Sequence, residues 1–268
     1  MAITMDALAF MTLMRRSDLL PQGGTILELG QAEWYGDADP LYMLDALECT
    51  GDERERIQAD IATARQDLVE ADAQFGLNSR ERYAASARVV DLFYTVFFGT
   101  ADRTAVDLKD CPGCLRLDLN EPHDLGRRFD VVVNNGTAEH IFNIGNVFKF
   151  MHDHTAQGGV MVHEMPFHGY VDHGFYNIQP TLLFDLAASN SYKFVMMVRD
   201  TEGRFVVLER REVIWGMYEK GMIRRNSNIF AVLRKDDTSP FQVPQQGVYA
   251  GRYTADQDAV WRLAMRDV

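Results

Sequence analysis

The sequence is short of cysteine, of positive charge and of long apolar runs, and each shortage narrows what the chain does. Cys49, Cys111 and Cys114 are its three cysteines in 268 residues. That is too few for a disulfide framework or for a zinc site built on cysteine pairs. Cys111-Pro-Gly-Cys114 has the spacing of a redox motif, but such a motif opens a helix, and between two short strands it reads as a turn. Basic residues number 27 against 39 acids, giving a formal net charge of −12. That field repels phosphate backbones and anionic lipid surfaces, so neither a nucleic-acid nor a membrane partner is expected. The apolar stretch 7–14 is too short to span a bilayer, and no basic segment precedes it as a secretory leader requires. It reads as an ordinary helix ended by Arg15 and Arg16, and a cytoplasmic location is the expectation. Also missing is a Gly-x-Gly-x-x-Gly fingerprint opening a helix, which argues against a nicotinamide-dependent oxidoreductase.

What is present is an alternation of apolar runs and amphipathic stretches. Residues 25–29 read as a buried strand ending at Gly30. Residues 31–50 read as irregular, broken by Gly36 and Pro40. A charged helix is expected over about 52–73, because Ile57, Ile61, Ala64 and Leu68 recur at steps of three or four. A second follows over about 79–97, carrying Val89, Val90, Phe93 and Phe97. Strands are expected at 104–107, 115–119, 129–133, 160–163, 193–198 and 229–233, with helices at about 145–154 and 180–189. The continuous apolar run 129–133 suits a strand covered on both faces. Strands alternating with helices imply an α/β fold with a doubly wound, largely parallel sheet and right-handed crossovers. Ligands of such a sheet bind beyond the carboxyl ends of its strands, which is where the polar residues of this chain gather.

Those residues carry a resemblance. Ile26-Leu27-Glu28-Leu29-Gly30, then Asp107, Asp118, Phe129-Asp130, Glu139-His140 and Gly158-Gly159 before a strand occur in that order. Together they resemble the class I S-adenosylmethionine-dependent methyltransferases. The nearest likeness is to bacterial methyltransferase-like proteins with GTxEHxFN and HGFYxxxP motifs, here Gly136–Asn143 and His173–Pro180. The resemblance covers roughly residues 24–235. It implies a Rossmann-like sheet of seven strands with the last antiparallel, in one methyltransferase-like domain over 1–268 with a helical insertion at about 31–82. It also implies S-adenosyl-L-methionine as cofactor and methyl transfer to a small-molecule or glycan-type acceptor.

The resemblance gives each strand end a role. Gly30 and Gln31 turn beneath the cofactor's amino-acid moiety, and Glu28 bears on its ammonium group. Asp107 accepts from the ribose hydroxyls, Asp118 from the adenine amino group, and the Leu119 amide donates to the ring. Asn135 lies in the loop under the sulfonium. The first loop departs from the usual alternate glycines, continuing Gln31-Ala32-Glu33-Trp34. That departure keeps a second reading open, a non-catalytic methyltransferase-like protein that binds a partner or scaffolds an assembly.

Six of seven histidines fall between His140 and His173. His152 and His154 read as cationic caps near a helix end. His140, His163, His168 and Tyr176 are candidates for a general base that deprotonates the acceptor, since imidazole titrates near neutral pH. Alternatively Glu139, His140 and His163 hold a divalent metal. Some methyltransferases use a Glu-His pair at this place as ligands, with a further acid where this chain has Gly136. Structural hydrogen bonding is the third reading. Trp34, Tyr35, Phe167 and Tyr176 are candidates for an aromatic wall against a substrate, or for core. A homo-oligomer is left open.

Overall fold

The structure, a computed structural model, describes residues 2–34, 39–47, 50–76, 79–111, 113–247 and 249. Tyr35, Gly36, Cys49 and Pro112 lie outside the described residues. The chain groups into two compact units, residues 1–25 with 31–103, and residues 26–30 with 104–268.

The first unit is mainly helical. Helix α1 (Met5–Arg16) starts where the Thr4 hydroxyl accepts from the Ala7 amide, 3.2 Å away. It buries Leu8, Phe10, Met11 and Met14 on one face and ends in Arg15 and Arg16, which suit its negative dipole end. Strand β1 (Ala2–Ile3) pairs in parallel with β3 (Glu33–Trp34). Pro40–Ala46, expected to be irregular, is a 3₁₀ helix started by the Asp39 side chain. Helix α2 (Asp52–Phe75) buries Ile61, Ala64, Leu68 and Ala71, the face that the spacing points to. Helix α3 (Arg80–Phe98) is capped by Ser79 and stops at Gly99 in the left-handed region. Buried Arg82 ties these elements together by donating to Asp72 at 2.9 Å and to the Trp34 carbonyl at 2.8 Å. Trp34 is fully buried, so it is core of this unit and not a free aromatic wall.

The second unit is built on one sheet. Its strands are β2 (Ile26–Leu29), β4 (Arg103–Asp107), β5 (Cys114–Arg116), β6 (Phe129–Asn135), β7 (Thr155–His168), β8 (Lys193–Arg199), β9 (Phe205–Val207) and β10 (Ser227–Arg234). The order across the sheet is β5-β4-β2-β6-β7-β10-β8-β9. The pairs β4–β5, β2–β6 and β6–β7 are parallel, while β10 runs antiparallel to both β7 and β8. The protein therefore has the expected α/β fold with a doubly wound, mostly parallel sheet. The sheet has eight strands, not seven. The additional one is β9, three half-buried residues pairing antiparallel with the outer edge of β8.

Helices α4 (Ile144–His154), α5 (Pro180–Asn190) and α6 (Arg211–Glu219) complete the unit. Leu27, Leu29, Val132, Phe148, Met151, Met161, Leu183, Phe194 and Ile229 pack into one apolar cluster between sheet and helices. Helix α6 was not expected, because its start has no side-chain cap to mark it. Strand β7 is longer than the expected 160–163, running on through buried Glu164, Met165 and Phe167 beside β10. The 115–119 strand is shorter, because Asp118 turns the chain after Arg116.

One feature is added to an expected turn, and one expectation is corrected. Cys111 and Cys114 are joined as a disulfide that closes the turn between β4 and β5. His152 and His154 are not cationic caps of α4: both are buried, and burial lowers the proton affinity of each ring. His152 Nδ1 meets the Tyr192 hydroxyl at 2.5 Å, and His154 Nδ1 meets the Phe150 carbonyl at 2.7 Å. The cation at this helix end is Lys235, whose amine donates to the His152 carbonyl at 2.8 Å and the Thr155 carbonyl at 3.3 Å. Among the described residues no helix is long and apolar enough to cross a membrane.

Candidate functional site

The strand order sets where a ligand crevice falls. From β2 the chain goes to β4 on one side, and from β5 it returns to β6 on the other. The direction of winding thus reverses between β2 and β6, and the crevice of a doubly wound sheet opens beyond the carboxyl ends of such a pair. Here those ends are Gly30 and the segment 134–140.

Gly30 has φ of 74°, and its amide donates to the Val106 carbonyl at 2.7 Å, tying the end of β2 to β4. A β-carbon on it would stand 2.6 Å from Thr137 Oγ1. Thr137 is held there by its own hydrogen bond to the Leu29 carbonyl, 2.7 Å. Its glycine character is therefore required by the neighbouring loop as well as by the backbone turn. Glu28 is fully buried within β2 and offers no surface to a ligand. Gln31 follows Gly30 in the chain and belongs to the other compact unit.

Asp107 is the last residue of β4, and one of its oxygens accepts from the Lys109 amide at 2.9 Å. Asp118 lies two residues beyond β5 and is exposed. Its Oδ1 accepts from the Asn120 amide at 2.9 Å and the Asn120 side chain at 2.8 Å. Those bonds hold its pKa below the usual carboxylate value. Leu119 is buried beside it, and its carbonyl accepts from Asn146 at 2.8 Å. Asn135 is half-buried at the end of β6.

The loop after β6 is fastened on several sides. Buried Asn134 accepts from the Ala138 amide at 2.9 Å, and the Gly136 amide donates to the Glu164 carbonyl at 2.8 Å. A 3₁₀ turn, Ala138–His140, then directs Glu139 inward and His140 outward. Glu139 is 1% exposed, while the His140 side chain keeps 47% of its surface. The loop after β7 lies against this turn. The Phe175 amide donates to the Glu139 carbonyl at 2.8 Å, and the Tyr176 hydroxyl donates to the Phe142 carbonyl at 2.7 Å. Gly174 permits the approach: a β-carbon there would lie 2.9 Å from the Glu139 carbonyl oxygen and 3.1 Å from His140 Nδ1. The two motifs of the sequence are thereby packed onto each other.

Their contact brings three donor groups together. Glu139 Oε1 lies 3.8 Å from His140 Nε2 and 3.7 Å from His173 Nε2. All three ligand atoms fall within 4.8 Å of one another. Neither oxygen of Glu139 has a hydrogen-bond partner among the described residues. Burial pushes the Glu139 carboxyl up to about 7, and burial together with His173 lowers the proton affinity of His140.

His163 is not part of this group. It is 1% exposed in β7, packs on Phe148 at 5.8 Å between ring centres, and meets the Asn134 side chain at 3.4 Å. Burial holds its pKa down at about 3. It is buried in β7 with Nε2 lacking a hydrogen-bond partner among the described residues, and it is not one of the three residues whose donor atoms gather at Glu139. His168 is exposed at the end of β7, opposite Ser227 of β10. Phe167 is buried in the core, and Tyr176 braces the loop through its hydroxyl. Sequence reasoning missed the part of His173, which lies in the HGFY motif but not at a strand end.

No family model matches the sequence, and no curated protein matches it. Solved structures give slight likenesses. TehB from Haemophilus influenzae is matched with a TM-score of 0.36 and 12% identity, over 63% of this chain and 62% of that one. An O-methyltransferase from a trans-AT PKS multienzyme of Brevibacillus brevis, in complex with S-adenosyl-L-homocysteine, has a TM-score of 0.38 and 12% identity, over 94% and 77%. Coclaurine N-methyltransferase, bound to N-methylheliamine and S-adenosylhomocysteine, also scores 0.38 at 12% identity, over 86% and 73%.

Proposed function

We propose that the protein is a methyltransferase that uses S-adenosyl-L-methionine and acts on a small-molecule or glycan-type acceptor. The observation that carries this reading is the pair of acids, Asp107 and Asp118, at and just beyond the carboxyl ends of adjacent parallel strands, on the side of the sheet where the winding reverses between β2 and β6. An adenosyl group offers hydrogen-bond donors in that sequence, ribose hydroxyls and then an adenine amine. Asp107, the last residue of β4, is the acid placed for the ribose hydroxyls. Asp118 is held ionised and oriented by Asn120, so it meets the adenine amine without reorganising.

The cofactor supplies an activated methyl group on a sulfonium. The chain's own part is alignment of the acceptor and exclusion of water. Glu28, fully buried in β2, stands two residues before the Gly30 turn, at the end assigned to the cofactor's ammonium group. In the metal-free protein His140, half exposed on the loop after β6, is the imidazole that takes the acceptor's proton. The 164–180 segment, seated on that loop by Phe175 and Tyr176, covers the acceptor side.

Calorimetric titration tests the reading against the oxidoreductase alternative. S-adenosylmethionine and S-adenosylhomocysteine are expected to bind saturably, and NAD is not. Binding of NAD alone would reverse the assignment. Binding of none would leave the methyltransferase-like scaffold as the surviving reading.

A further inference from the structure

We infer that Glu139, His140 and His173 form an open site for a divalent transition-metal ion. Three observations join here. A carboxylate 1% exposed has both oxygens without a hydrogen-bond partner among the described residues, and Oε1 faces two imidazole nitrogens at 3.7 and 3.8 Å. Those separations are too long for hydrogen bonds. They are close to the spacing of donors that share one ion: with metal–donor bonds of ~2.1 Å, tetrahedral donors stand about 3.4 Å apart. The two separations from Glu139 differ from that by a few tenths of an ångström, and the imidazole nitrogens, within 4.8 Å of each other, draw together on the ion.

An unpartnered buried carboxylate is costly, and a cation removes that cost by supplying the missing partner. The surroundings are built to hold the geometry. Gly174 lets the His173 segment descend onto His140, and the Phe175 amide pins the Glu139 carbonyl at 2.8 Å. Gly136 presents only its bare backbone toward Oε1, the nearest approach of an added β-carbon being 3.5 Å. Two imidazoles with one carboxylate favour zinc, iron, nickel or copper over magnesium or calcium, whose sites are built of oxygen. With His140 and His173 exposed by 47% and 44%, the remaining coordination positions face solvent. The site is therefore of the open kind that takes water or a ligand oxygen. This inference does not depend on methyl transfer, since the ion is read out directly.

The test is titration of the full chain, stripped with chelator and free of any affinity tag, with Zn2+ by calorimetry. Co2+ absorption in the visible serves as the second readout. One equivalent is expected to bind, with d–d bands that mark nitrogen and oxygen ligation. His140→Ala and His173→Ala, whose side chains are half exposed, are expected to fold as the parent does by melting temperature. Each is expected to weaken Zn2+ at least about tenfold, as is Glu139→Gln. His123→Ala, outside the group, is expected to leave affinity unchanged. Absence of stoichiometric binding, or equal affinity in folded His173→Ala, overturns the site.

Discussion

Gly30 and Thr137 are locked together where the ends of β2 and β6 meet. The threonine hydroxyl is bonded to the Leu29 carbonyl at 2.7 Å and stands 2.6 Å from where a β-carbon on Gly30 would be. Gly30→Ala therefore meets a clash in addition to the left-handed backbone, itself costing about 1–2 kcal/mol for a residue with a side chain. The single variant is expected to lose more than that in urea denaturation. In Gly30→Ala with Thr137→Ala the clash is gone, so the double variant is expected to be more stable than the two single losses add to. Simple additivity would show that the contact carries no strain.

His163 makes stability depend on pH in a definite direction. Its pKa in the fold is about 3 against an ordinary 6.5. Between those values the unfolded chain binds a proton that the folded chain does not, so stability falls as pH falls below 6.5. The slope from this one residue is about 1.4 kcal/mol per pH unit. His163→Leu removes it. Unfolding in urea at pH 7 and pH 5 is expected to show the variant losing about 2 kcal/mol less than the parent on acidification. Equal losses would mean that the ring accepts a proton in the folded protein.

Both readings of His163 trace to what a sequence displays. The run around 160–163 marks a strand, and a strand's end marks a crevice. Which face a residue takes is a different matter, since β7 is buried on both faces from Val160 to Phe167. No alternation remains to separate core-facing from crevice-facing positions. His173 is 34 residues from Glu139 and joins it only through tertiary packing of the loop after β7. The apolar runs of β6, β8 and β10 and the helical period of α2 were legible because each is long and consistent. Three-residue β9 and uncapped α6 carry no comparable local signal.

Lys235 serves as the cap of α4. Its amine bonds two carbonyls, His152 and Thr155, at the end of that helix while the residue is 7% exposed. Lys235→Met keeps the apolar stem and deletes the donor. It is expected to cost about 0.5–1.5 kcal/mol, the net contribution of a hydrogen bond, since the His152 carbonyl still accepts from the Thr155 amide. Hydrogen exchange is expected to rise first in the last turn of α4. A loss below about 0.5 kcal/mol, the range of a surface substitution, would show that water replaces the amine.

Titration of S-adenosylhomocysteine into the parent and Asp107→Asn tests most directly the proposed adenosyl site at the ends of β2, β4 and β5. Asparagine keeps a side-chain oxygen for the Lys109 amide and removes the charge that a ribose would use. Saturable binding to the parent is expected, weakened by about 1.5–3 kcal/mol in the variant, roughly ten- to hundredfold. A parent that shows neither heat nor a melting shift at millimolar ligand, or a variant that binds as tightly as the parent, would contradict the account.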